Sequence, residues 1–158
     1  QVVIHERRTA TIDADLTSVW DVLADFGDIS RWAPNVDHSC PLADLPDAPG
    51  TADLTGIPRR IQAGRTVLVE TVTAWSPPSG LTYRIEGLPP VLRSVSNEWQ
   101  LAPAPGAPDR TVVTLTSHVD AGPRPPQQLI ARVAAKRLAG ESEKLLHGLQ
   151  LATRETNP

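Results

Sequence analysis

Leu16-Thr-Ser-Val-Trp-Asp-Val-Leu-Ala-Asp-Phe26 decides how the rest of the chain is read. Leu16, Val19, Trp20 and Leu23 follow the i, i+3, i+4, i+7 rule of an amphipathic helix, and Asp15 stands at the N-cap position. Gly27 ends the helix. Asp28 to Trp32 fits one further helical turn presenting Ile29 and Trp32, which Pro34 prevents from continuing. Upstream, residues 2–13 (VVIHERRTATID) mix β-branched and charged residues without helical periodicity and read as a long first strand, with Ile4, Ala10 and Ile12 on one face.

Downstream, short β-rich runs at 36–43, 51–58, 62–75, 81–87, 93–102 and 110–120 are separated by turn residues, notably 76–80 (SPPSG) and 102–109 (APAPGAPD). After the prolines at 123–126, residues 127–155 lack proline and are rich in Ala, Leu, Lys, Glu and Arg, which predicts a long helix. Its apolar stripe is Leu129, Val133, Leu138, Leu145, Leu149 and Ala152, with a drift near Gly140. The order is strand, two short helices, about six strands, long helix. Such an α+β chain makes an antiparallel meander that buries one face against its helices.

The 158 residues, 40% hydrophobic and 21% charged, fit one folded domain spanning 1–158. A net charge of -3 argues against a nucleic-acid footprint, which needs clustered Lys and Arg. No apolar run approaches the roughly 18–20 residues that span a bilayer, so no integral membrane association is expected. The lone Cys40 has no partner for an internal disulfide, which fits a reducing, cytoplasmic location. Gln1 opens the chain and methionine is absent, which leaves open the removal of an N-terminal segment. The residue pattern leaves the oligomeric state unread, because no apolar helix face stands apart from the core stripe.

Ile12-Asp-Ala14, Val19-Trp20, Asp25-Phe26, Ile29, Trp32, Pro34 and Val36 together resemble the opening of the SRPBCC superfamily, which includes START lipid-transfer domains and birch-pollen-allergen-like proteins. Trp75-Ser-Pro-Pro78, Leu81-Thr-Tyr-Arg-Ile85, Gly87, Trp99-Gln-Leu-Ala-Pro103 and Thr111-Val-Val-Thr-Leu-Thr116 resemble its bacterial polyketide cyclase/dehydrase and lipid-transport branch. The resemblance covers essentially the whole chain. It implies a helix-grip fold, a seven-stranded curved antiparallel sheet around the C-terminal helix, with a cavity for lipids, polyketides or other apolar molecules. It implies no reaction, since one fold carries carriers, receptors and enzymes.

Alternation places Val95, Asn97, Trp99 and Leu101 on one face of their strand, and Val113, Leu115, Ser117 and Val119 on one face of the last; Leu81, Tyr83 and Ile85 do the same. The ligand-lining candidates are Trp32, Val36, Tyr83, Ile85, Asn97, Trp99, Leu115 and Ser117. For the polar members, a bound ligand and an internal hydrogen bond are both open readings. Trp20, beside Leu16 and Leu23, belongs to the core. Glu70 lies in an otherwise apolar run; it reads first as a solvated outer-face ion pair with Arg8, Glu6 or Arg93, and alternatively as a desolvated general acid. Glu70 and Tyr83 are thus the weak catalytic candidates. Arg59-Arg60 and Lys136-Arg137 read as solvated surface. His5, His38, His118, His147 and Cys40 are ligand types, but only His38 and Cys40 share a face and no third ligand is suitably spaced, so no metal and no cofactor is expected.

The leading expectation is a non-enzymatic module that binds or transports a hydrophobic small molecule between sheet and helix. A cyclase/dehydratase acting on a poly-β-keto or aromatic substrate is the alternative, and a regulatory or stress-related protein the third.

Overall fold

The computed structural model describes residues 2–46 and 52–156. β1 (Ile4–Ile12) leads into α1 (Leu16–Ala24) and a 3-10 helix (Phe26–Arg31), followed by β2 (His38–Pro41), β3 (Pro58–Ala63), β4 (Thr66–Ser76), β5 (Gly80–Glu86), β6 (Ser94–Ala104), β7 (Ala107–Asp120) and α2 (Pro125–Thr156). The strands form one antiparallel sheet in the order β1-β7-β6-β5-β4-β3-β2, so the helix-grip architecture is as the sequence implies. Asp15 caps α1, its Oδ1 accepting the Ser18 amide at 3.0 Å. The Ser18 hydroxyl and amide hold the Asp15 carboxyl below its ordinary pKa.

Two strand expectations are corrected. Residues 52–57 form turns rather than the 51–58 strand, residue 51 lying outside the described residues. The 62–75 run is two strands. Ala63 pairs with Thr66 across a two-residue Gly64-Arg65 turn, and Gly64 takes φ +60° while no non-glycine residue has positive φ, as in a II′ hairpin. Likewise 102–109 is mostly strand, closed by the two-residue turn Pro105-Gly106 between Ala104 and Ala107.

The long helix corrects its own stripe. Leu129 and Val133 are 61% and 51% exposed, and the first half of α2 instead buries Ala131, Ala135 and Ala139, followed by Ser142, Leu145, Leu146 and Leu149. The i, i+4 alanines carry little bulk, so they let the helix lie close on β1 and β7. The larger apolar side chains of that half are left on the other side, making an uncovered apolar face that the sequence reading did not separate from the core stripe.

Near its C-terminal end α2 is pinned against the segment after the 3-10 helix. A Cβ on Gly148 would sit 2.4 Å from the Trp32 carbonyl oxygen and 2.6 Å from Pro34 Cδ, whereas one on Gly140 meets nothing within 4 Å. Gly140→Ala is therefore expected to stabilise by up to about 1 kcal/mol. Gly148→Ala is expected to destabilise by about 1–3 kcal/mol, because overpacking outweighs helix propensity. Urea unfolding of both variants checks this, and equal gains in the two would show that the close approach has no energetic consequence.

Candidate functional site

The inner face of the sheet and the 3-10 helix meet in an aromatic interior. Val95, Asn97, Trp99 and Leu101 on β6 lie directly opposite Val119, Ser117, Leu115 and Val113 on β7, and Tyr83 on β5 lies opposite Asn97. All of these side chains are buried. The polar ones satisfy one another: Ser117 Oγ donates to Asn97 Oδ1 at 2.7 Å, while Asn97 Nδ2 and Trp99 Nε1 each donate to the Tyr83 hydroxyl oxygen at 3.3 Å. These internal hydrogen bonds give each of the three polar side chains a protein partner. Burial, then the charge of Glu70, pushes the Tyr83 hydroxyl above its ordinary pKa, against the lowering effect of Arg59, so it stays protonated at neutral pH.

Glu70 and Arg59 reverse their surface assignments. They stand directly opposite on β4 and β3, with side chains only 9% and 3% exposed. Arg59 Nε and Nη2 lie 2.9 and 2.8 Å from Glu70 Oε1, and Arg59 Nη1 donates to the Phe26 carbonyl at 2.9 Å. The guanidinium lies over the Phe26 ring at 3.8 Å and the Tyr83 ring at 4.7 Å. Arg8, proposed from sequence as a partner of Glu70, pairs with Glu6 and Glu143 instead, which raises its pKa. β3 alternates from Pro58, so Arg59 and Ile61 point inward.

Trp32 stacks edge-on against Trp99, ring centroids 6.2 Å apart. With Leu23, Asp25, Phe26, Ile29, Arg59, Leu81 and Tyr83 these two indoles enclose a cleft of about 10 Å³, room for about one water molecule. Val36 is partly buried against the core, and Ile85, Leu115 and Ser117 are buried; none of the four lines that cleft. Trp32 and Asp25 also border an outer cleft of about 440 Å³ with Asp21, Asp28 and Arg31. Burial, with Asp28 nearby, raises the Asp25 carboxyl pKa, and Arg31 partly offsets this. Trp20 is core, packed on Trp75 with ring centroids at 4.9 Å.

A roomier apolar concavity lies elsewhere. A groove of about 690 Å³ runs between the β5–β6 loop and the first half of α2, lined by Leu88, Pro89, Val91, Leu92, Leu129, Ile130, Val133, Ala134 and Leu138, with Arg137 and Glu141 also along it. Leu88, Leu92, Ala134 and Leu138 pack on the main core, so the groove floor is continuous with it. Sequence reasoning missed this wall because Leu129 and Val133 were assigned to the core. The signal was available in the alanines at 131, 135 and 139, which mark the buried side.

Among the described residues no group of three or more His, Cys, Asp or Glu side chains is arranged to hold a metal ion, and His38 and Cys40 are exposed on edge strand β2. No helix among the described residues is long and apolar enough to cross a membrane.

The model of the family described as polyketide cyclase/dehydrase and lipid transport matches residues 4–153, and the chain belongs to that family. No curated protein matches the sequence. Among solved structures the fold is similar to a START superfamily protein from Mycobacterium smegmatis, at 16% identity, TM-score 0.69, and coverage of 97% of this chain and 99% of that one. It is also similar to the Zhui aromatase/cyclase from Streptomyces sp. R1128, at 19% identity, TM-score 0.70, and coverage of 97% and 94%. A protein from Thermobifida fusca reaches 22% identity and TM-score 0.72 over 97% of this chain and 95% of that one. At these identities the likeness is one of fold.

Proposed function

We propose, with that family membership as premise, that the chain binds an apolar small molecule, seated in the groove between α2 and the β5–β6 loop. One observation carries the reading: the aromatic interior has room for about one water molecule, whereas the groove offers about 690 Å³, within the range of about 300–1,000 Å³ usual for ligand sites. Its walls are aliphatic. Burial of ligand surface there contributes about 25 cal/mol per Å² before ordering costs. Arg137, which has no ion-pair partner among the described residues, suits the acidic or hydroxyl end of an amphipathic chain.

A narrower enzymatic reading has one observation in its favour. The protonated Tyr83 hydroxyl and the buried Arg59 both border the inner cleft, where a proton donor and a cation would assist loss of water from a keto or hydroxy substrate. That reading requires Trp32 to swing away from Trp99.

Titration with dodecanoate by calorimetry distinguishes the two places. Val133→Asp puts a charge into the groove at an exposed position, so the fold is retained and affinity is expected to fall at least about tenfold. Unchanged affinity in Val133→Asp, together with a loss in Trp32→Leu, would move the ligand to the inner cleft and overturn the groove assignment.

A further inference from the structure

The outer face of the sheet carries a second constellation, different in chemistry from the groove and the cleft and lined by none of their residues. His5 on β1 and His118 on β7 are directly opposite in the antiparallel register. Their Nδ1 atoms converge to 2.5 Å, with the rings edge to face at 81° and centroids 4.7 Å apart. His118 Nε2 lies 3.0 Å from Glu98 Oε1 on β6. A carboxylate accepts and does not donate, so Nε2 bears the proton and the lone pair of a neutral His118 is on Nδ1, facing His5. The Nδ1 atoms of two imidazoles therefore converge on an accessible surface, His5 exposed and His118 with its side chain 26% exposed, and a metal ion that displaces the proton between them meets a nitrogen from each ring.

A shared proton is the ordinary occupant of such a point. N–H hydrogen bonds usually span about 2.7–3.2 Å, so the 2.5 Å approach is tight for one. We infer that His5 and His118 form a two-imidazole site for a late divalent transition-metal ion, Ni²⁺ or Cu²⁺ in class, with Glu98 fixing the metal-binding tautomer of His118. A carboxylate holding the far nitrogen of a ligating histidine is a recurrent support of such sites. Cis nitrogens of a square-planar centre lie about 2.9 Å apart, which this pair reaches by a small opening; tetrahedral ligands lie about 3.4 Å apart. Solvent completes the coordination.

The surrounding charges are few. Arg7 shares the outer face of β1, and on β5 Arg84 is paired with Glu86 at 2.9 Å. Asp120, two residues along β7, is buried, and its Oδ1 accepts the Gly122 amide at 2.9 Å. β1 is an edge strand whose only strand partner among the described residues is β7, so an ion held by both histidines clips the edge to the sheet.

The probe is Ni²⁺, which avoids copper oxidation of the exposed Cys40 thiol. On protein free of any affinity tag, calorimetry at about pH 7.5 is expected to show one equivalent bound. His5→Gln is expected to abolish that site, and Glu98→Gln to weaken it at least about tenfold. Ni²⁺ at ten times its Kd is expected to raise the thermal midpoint of the parent protein by about 3–6 °C, and not that of His5→Gln. Affinity in His5→Gln within about threefold of the parent overturns the site, as does a loss of binding that follows His38→Gln instead.

Discussion

Glu70→Leu is expected to lower the unfolding free energy by about 3–5 kcal/mol, because it leaves the Arg59 guanidinium buried without its counter-ion. The two side chains face each other across β3 and β4, and solvent reaches neither appreciably. What remains for Arg59 in the variant is one hydrogen bond to the Phe26 carbonyl and two aromatic faces. These partners suit a guanidinium but do not neutralise it. The double variant Arg59→Met/Glu70→Leu removes both charges while keeping the volume, and it is expected to recover most of the loss, since a buried pair replaced by apolar groups is often nearly neutral. Equilibrium urea unfolding of the two singles and the double closes the cycle. A double variant as unstable as Glu70→Leu would show that the pair organises the 3-10 helix in a way apolar side chains cannot replace.

That pair also marks the limit of what the sequence shows. The amphipathic spacing from Leu16 to Leu23 and the Asp15 cap describe α1 as it folds, and the residues that alternation selects on β6 and β7 are all buried. Those signals are local, set by the 3.6-residue and two-residue periods. Arg59 and Glu70 carry no such signal, because their burial depends on a partner eleven residues away and on a carbonyl supplied by the 3-10 helix. Phase errors have similar origins. A two-residue turn at Gly64 is short enough to vanish inside a β-rich run, and a bulge between Val72 and Ala74 shifts the inward face of β4 to Trp75. On α2 the stripe of large residues and the stripe of buried ones diverge, because closeness to β1 and β7 favours alanine. Polar candidates Tyr83, Asn97 and Ser117 were legible as a set, but their mutual satisfaction is a property of three strands at once.

Trp99→Ala is expected to cost about 3–5 kcal/mol and to create the interior cavity that the native side chains fill. Trp99 is 1% exposed, packs on Trp32 and donates its indole N–H to Tyr83. Truncation removes the largest fully buried side chain of the core and joins its space to the adjoining cleft. The Tyr83 oxygen keeps the Asn97 donor, so the loss comes mainly from apolar contacts and the void. Indole supplies both the ring and the N–H that were deleted. At ten times its Kd it is expected to restore about 1.4 kcal/mol to Trp99→Ala and nothing to the parent protein. Thermal unfolding with and without indole reads the difference. Stabilisation of the parent by the same amount would show that the closed interior opens readily to an aromatic guest, and would favour the inner cleft over the groove as the ligand site. Rescue confined to the variant would place the boundary between ligand site and packed core at the Trp32–Trp99 contact: the interior is filled by its own aromatic side chains, and the apolar groove lies between α2 and the β5–β6 loop.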